Sequence, residues 1–318
     1  AELLGTRVEI IPSYAQKPSF GDLDLLVQSE RLPSNWKQQI TMYFRLSDKM
    51  FVTNGSVFSF AYNELQVDVI ATPAAEMDTS MQYFAYNDLG NLMGRMMHKL
   101  GIKYGHKGLS IIVRSPCSGN HVLKEITLET DRSYATACEI LGLDAEFKFE
   151  VLEDIYKFTA GAKYFDPDIY LLHNRNHANR VRDQKRKTYG GFLDWIRDND
   201  VKGNFAFGEK HDRGGYNIRE PFYTDIVLAR WPWVKDVVDG IIKANEIDIQ
   251  FKEVYNGDIV QSLTSFTGKR LGAFMSLIKE TITPETKLRW IAHPSDATRS
   301  IHAMWIQNGG ERFLSELR

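Results

Sequence analysis

The 318-residue sequence predicts an α+β fold: an N-terminal domain of strands and helices over residues 1–115, then a mostly α-helical domain over residues 116–318. Three observations predict it. Short apolar runs bounded by turn residues crowd into the first third of the chain. Helical periodicity dominates beyond residue 130, where strand signals thin. The length, with 43% hydrophobic and 25% charged residues, is long for one core and comfortable for two.

The elements follow in order. RVEII (7–11) and LDLLV (23–27) read as strands, joined by a loop with a short helix. LPSNWKQQITMYFRL (32–46) carries apolar residues at helical spacing after Ser34, a capping residue type. In MFVTNGSVFSFAYNELQVDVIAT (50–72) the Asn54-Gly55 pair lies between apolar runs, the strongest short hairpin signal in the chain. LQVDVIA adds a strand with Leu65, Val67 and Val69 on one face and Gln66, Asp68 and Ile70 on the other. Residues 74–100 are helical in pattern and end at Gly101. GLSIIV (108–113) is a strand, and a Pro/Cys/Ser/Gly break at 116–119 opens a soft boundary that runs to about residue 130. Helical patterns then occupy YATACEILGL, FEVLEDIYKFTAG, 168–199, 222–245 and 259–280.

Charge and cysteine content narrow the function classes. The net charge is −2, so a nucleic-acid surface, if present, is local rather than global. Cys117 and Cys138 make neither a disulfide framework nor a zinc site on their own, which suits a reducing cytoplasm, the expected compartment. No apolar run approaches the ~18 residues of a membrane span, no signal peptide opens the chain, and no membrane partner is expected. The opening AELLG reads like the end of a helix, so upstream residues are expected to have been removed.

The stretch GDLDLLV (21–27) sets two carboxylates into an apolar run. Residues i and i+2 of a strand share a face, so Asp22 and Asp24 stand side by side, which is unfavourable unless a cation joins them. Mg²⁺ takes hard oxygen ligands and is commonly held by one or two carboxylates plus substrate phosphates. Asp68, in the middle of QVDVIA, supplies a third carboxylate if that strand lies beside LDLLV. An isolated D-x-D is usually a surface or turn feature. Val on both sides of Asp68, and Gly21 immediately before the pair, distinguish this one.

These residues resemble the polymerase-beta nucleotidyltransferase superfamily. That family has Gly-Ser at a helix start, G-D-x-D in a strand some ten residues on, and a third Asp in a later strand. PSYAQKPSFGDLDLLV (12–27) and QVDVIATP (66–73) match that order. MDTSMQYFAYNDLGNLMGRMMHKLGIKYGHKGLSIIV (77–113) resembles the nucleotide-binding thumb of family X DNA polymerases, so the likeness covers residues 7–114. It implies a mixed-sheet nucleotidyltransferase palm and thumb over 1–115 that uses two Mg²⁺ ions, with Mn²⁺ as an alternative. The expected substrates are a (d)NTP and a nucleic-acid primer or primer–template. Asp22 and Asp24 would bind both metals. Asp68 would bind the catalytic one and help activate the primer 3′-hydroxyl. Ser13 would hold the outer phosphates, with Lys17 the nearest basic residue of that loop. Tyr83 and Phe84 would pack on the sugar, Asp88 and Asn91 would meet the incoming base, and Arg95 the template side of the minor groove.

The chain also departs from the family. Pro12 replaces the Gly before Ser, and Ala85-Tyr86 replaces Thr-Gly after Tyr-Phe, so the phosphate cradle and sugar selection are not carried over intact. Read alone, 77–100 is amphipathic, with Met77, Met81, Phe84, Leu89, Leu92, Met93, Met96 and Met97 as a buried stripe of core packing.

In the second domain, NRNHANRVRDQKRKTY (174–189) is the most basic stretch. Arg180, Arg182, Lys185, Arg186 and Lys187, with Arg175, oppose only Asp183 and suit a nucleic-acid backbone. TGKRLG (267–272) opens a helix and weakly resembles the tail of tRNA nucleotidyltransferases and poly(A) polymerases. Three functions compete: transfer of a nucleotide to a nucleic-acid 3′ end, templated or template-independent; transfer to a protein or small molecule; and a non-catalytic binding subunit.

Overall fold

The computed structural model describes residues 2–117, 121–207 and 226–309. Strands β1 (Val8–Ile10), β2 (Asp22–Gln28), β3 (Phe51–Asn54), β4 (Val57–Tyr62) and β5 (Leu65–Thr72) form a mixed sheet ordered β1-β2-β5-β4-β3. β2 and β5 run parallel, with Asp22 opposite Gln66 and Asp24 opposite Asp68. The other three pairings are antiparallel. The hairpin expected at Asn54-Gly55 joins β3 to β4, and Gly55 has φ +58°, which glycine adopts without penalty.

One face of this sheet is apolar. Leu23, Leu25, Val27, Phe58, Phe60, Val67 and Val69 cluster with Trp36 and Ile40 of helix α1 (Trp36–Tyr43). The pleat therefore sends Asp22, Asp24 and Asp68 to the opposite face. That face is covered in part by helix α2 (Met77–Phe84), which packs on β2.

Helix α3 (Leu89–Lys99) and strands β6 (Lys103–Gly105), β7 (Gly108–Arg114) and β8 (Val122–Glu129) follow, the strands forming a second sheet ordered β6-β7-β8. The methionine stripe is core: Met77, Met93, Met96 and Met97 are buried, with Leu89 and Leu92. β8 is absent from the sequence expectation. It is an edge strand in which only Ile126 is fully buried, and its Lys and Glu residues hid it.

Helices α4 (Ser133–Leu141), α5 (Leu152–Ala160), α6 (His177–Gln184), α7 (Lys187–Asp198) and α8 (Ile226–Arg230) come next. The last five are α9 (Val234–Val254), α10 (Gly257–Thr264), α11 (Gly268–Thr281), α12 (Pro284–Ala292) and α13 (Pro294–Gln307). Residues 118–119 of the expected break and 222–225 of the expected helix lie outside the described residues.

The compact units are residues 1–113 with 124–234, and residues 114–123 with 235–318. They do not follow a division at 115/116. Helices α4 and α5 pack on α2 and α3, and the Tyr170 hydroxyl donates to the Leu92 carbonyl oxygen at 3.0 Å, so these helices complete the N-terminal core. The C-terminal unit has its own core, in which Trp290, Phe274, Ile278 and Val260 are buried and Phe251 stacks on Trp290 with ring centroids 6.0 Å apart.

Candidate active site

The Asp24–Asp68 register places two carboxylates beside each other on neighbouring parallel strands, and Asp22 precedes them on the same face. No Lys or Arg forms an ion pair with any of the three among the described residues. Burial, and then the charges of Asp22 and Asp68, push the Asp24 carboxyl up to about 6; Lys17 opposes them weakly. The Gln66 amide donates to both oxygens of Asp68, at 3.0 and 3.1 Å.

Among the described residues no three His, Cys, Asp or Glu side chains converge so as to hold a metal ion as they stand. The donor set nevertheless fits Mg²⁺ in kind: three hard oxygen ligands that share a face and lack a protein cation. Asp68 would have to turn from Gln66 to join the other two.

A cleft of about 560 Å³ opens over Asp22 and Asp24 within the N-terminal unit. Ser13, Lys17, Phe84, Asp88, Arg186 and Lys187 also line it, so eight of the residues singled out from sequence meet in one place. Gly21, next to Asp22 in the chain, is not among the lining residues, and a Cβ there would meet nothing within 4 Å, so the fold itself does not demand glycine.

Tyr83, Asn91, Arg95 and Asp68 are not among the lining residues. The Tyr83 ring packs edge-on against Tyr104 at 5.2 Å, while Phe84 stacks on His106 at 5.7 Å and faces the cleft. Burial raises the Tyr83 hydroxyl above its ordinary value. Asn91 Nδ2 and Arg95 Nε, one helical turn apart, are buried without a hydrogen-bond partner, two donors left for a ligand or water.

The basic stretch is broken into α6 and α7 by a turn at 185–186. Its cations are not all free. Arg175 is buried and paired with buried Asp183 at 2.6 Å. Arg182 donates to Asn91 Oδ1 at 3.0 Å, and Arg186 pairs with Asp88. Thr188 accepts from Asn87 Nδ2 at 3.3 Å. Residues 182–188 thus cross 87–91 in antiparallel sense by three polar contacts. Arg180 and Lys185 make no ion pair among the described residues, and Lys187 lines the cleft.

Sequence reasoning missed three residues here. Asn87 and Thr188 carried no motif. Gly90 did carry a signal, as a glycine in the first turn of a helix: a Cβ there would lie 2.2 Å from the Tyr83 carbonyl oxygen, so only glycine lets α3 approach α2 this closely.

A scan against protein-family models finds no match, and a search of curated proteins finds none either.

Proposed function

We propose that the chain is a metal-dependent nucleotidyltransferase that moves a nucleoside monophosphate from a (d)NTP to a nucleic-acid 3′-hydroxyl. One observation carries this reading. Asp22 and Asp24, the latter opposite Asp68 in the sheet, line a cleft that Ser13, Lys17, Arg186 and Lys187 also line. A triphosphate with divalent cations is the ligand class that needs both poles.

In the reaction the 3′-oxygen attacks the α-phosphorus, the bond to the β-phosphate oxygen breaks, and pyrophosphate leaves. Asp68 helps remove the hydroxyl proton, and Ser13, Lys17, Arg186 and Lys187 hold the negative tail and the leaving pyrophosphate. Two bound Mg²⁺ ions would supply charge stabilisation at the attacking and leaving oxygens. Phe84 offers an apolar wall to the sugar. No helix among the described residues is long and apolar enough to cross a membrane.

A second reading within the same chemistry has its own support. Arg182 and Arg186 occupy Asn91 and Asp88, the groups expected to meet a base in a templated pair. That arrangement favours template-independent addition, in which protein groups stand where a template would. Primer extension with and without template, using dNTPs and NTPs separately, tests both. Addition that needs the template supports the polymerase; ribonucleotide addition without one supports the terminal or tRNA-type transferase. No transfer to any nucleic acid under either condition contradicts the proposal.

A further inference from the structure

Tyr86 and Asn87 are consecutive residues with left-handed backbone, φ +58° and +61°. Asn tolerates that region; Tyr adopts it only where its surroundings insist. Here they do. The Tyr86 N–H donates to the Pro12 carbonyl at 2.9 Å, the Leu89 N–H donates to the Tyr86 carbonyl at 3.3 Å, and the Tyr86 ring packs on Phe149 at 4.5 Å. The strained turn delivers the Asn87 carboxamide into the cleft.

There it ties the 13–17 loop to the start of α7. Its Oδ1 accepts from Ser13 Oγ at 3.2 Å and from Lys17 Nζ at 3.5 Å, and its Nδ2 donates to Thr188 Oγ1 at 3.3 Å. These distances are long; an ammonium donating to a full negative charge sits at ~2.7–2.9 Å. Lys17 also lies over the Phe20 ring, 4.8 Å from its centroid, and makes no ion pair among the described residues. A neutral oxygen therefore holds the hydroxyl and the ammonium weakly, both turned to one point beside Asp22 and Asp24.

We propose that Asn87 is a positioning residue for the polyphosphate tail of the nucleotide, its carboxamide oxygen standing where a phosphate oxygen binds. It orients Ser13 and Lys17 before the nucleotide binds and gives way to a charged acceptor. This rests on the nucleotidyltransferase reading and adds to it the residue that presets the phosphate site. An aspartate at this position keeps the shape and both donors but replaces the neutral acceptor with a fixed negative charge, which seals Lys17 in an ion pair and repels the phosphate.

The test is equilibrium binding to the full chain in Mg²⁺. The probes are whichever of the four NTPs the parent binds most tightly, with its diphosphate, monophosphate and nucleoside. Asn87→Asp is expected to weaken the triphosphate about tenfold or more, the monophosphate less than about threefold, and the nucleoside not at all, at an unchanged melting temperature. Asn87→Gly fits the left-handed backbone and removes only the carboxamide; it is expected to weaken the triphosphate about threefold and raise KM with little change in kcat. An equal loss across the series, or triphosphate binding by both variants at the parent's affinity, overturns the proposal while leaving the transferase reading intact. A parent that binds no nucleotide overturns both.

Discussion

Replacing Asp24 with asparagine should stabilise the N-terminal unit at neutral pH while abolishing transfer. The reasoning starts from the carboxyl pushed up to about 6 from an ordinary 3.8 by burial and by Asp22 and Asp68. Between those two values the folded chain keeps a proton that the unfolded chain has released, so stability falls as pH rises through the window. The full difference corresponds to roughly 3 kcal/mol, and solvent screening of this only partly buried group reduces it to about 1 kcal/mol. For a unit of this size that is ~2–4 °C in melting temperature. Asp24→Asn should therefore melt ~2–4 °C higher than the parent at pH 7.5, the gain shrinking to about a third at pH 4.5, where the parent carboxyl is already protonated. Millimolar Mg²⁺ should raise the parent and close the gap, since the ion replaces the missing countercharge. Transfer should fall about a thousandfold. Differential scanning calorimetry at the two pH values, with and without Mg²⁺, measures this. An Asp24→Asn variant that melts at or below the parent at pH 7.5 without Mg²⁺ refutes the reasoning.

Other expectations come from neighbouring contacts. Asp183→Ala leaves buried Arg175 unpaired and should cost about 3–5 kcal/mol in chemical denaturation, freeing the segment that carries Arg182 and Arg186. Gly90→Ala drives a Cβ into the Tyr83 backbone and should cost about 1–3 kcal/mol by the same measurement, with α2 and α3 pushed apart. Gln66→Ala releases the Asp68 carboxylate, so half-maximal nucleotide binding should need about 2–5-fold less Mg²⁺ in a fluorescence titration.

Much of the first sheet was readable because its signals are local. Asn54-Gly55 closes a tight hairpin, and the alternation around Asp68 assigns faces whatever the strand's neighbours are. The parallel pairing of Asp24 with Asp68 is not local: it spans a helix and a hairpin, and rests on an order of strands that alternation alone leaves open. β8 escaped notice because an edge strand need bury only one residue. The basic stretch misled in a different way. Its charges read as a free face, whereas Arg175 meets Asp183 of the same stretch, and Arg182 and Arg186 meet Asn91 and Asp88, partners brought near by tertiary packing. Asn87 had no sequence signal at all, because its position depends on a strained turn that no propensity favours.

Counting bound Mn²⁺ by electron paramagnetic resonance, with a non-hydrolysable NTP present and its own Mn²⁺ binding subtracted, addresses the carboxylate arrangement directly. The parent should hold two ions per chain, and Asp24→Asn and Asp68→Asn fewer. A parent that takes up no ion, or a variant with Asp22, Asp24 and Asp68 all changed to Asn that takes up as many as the parent, would contradict the account.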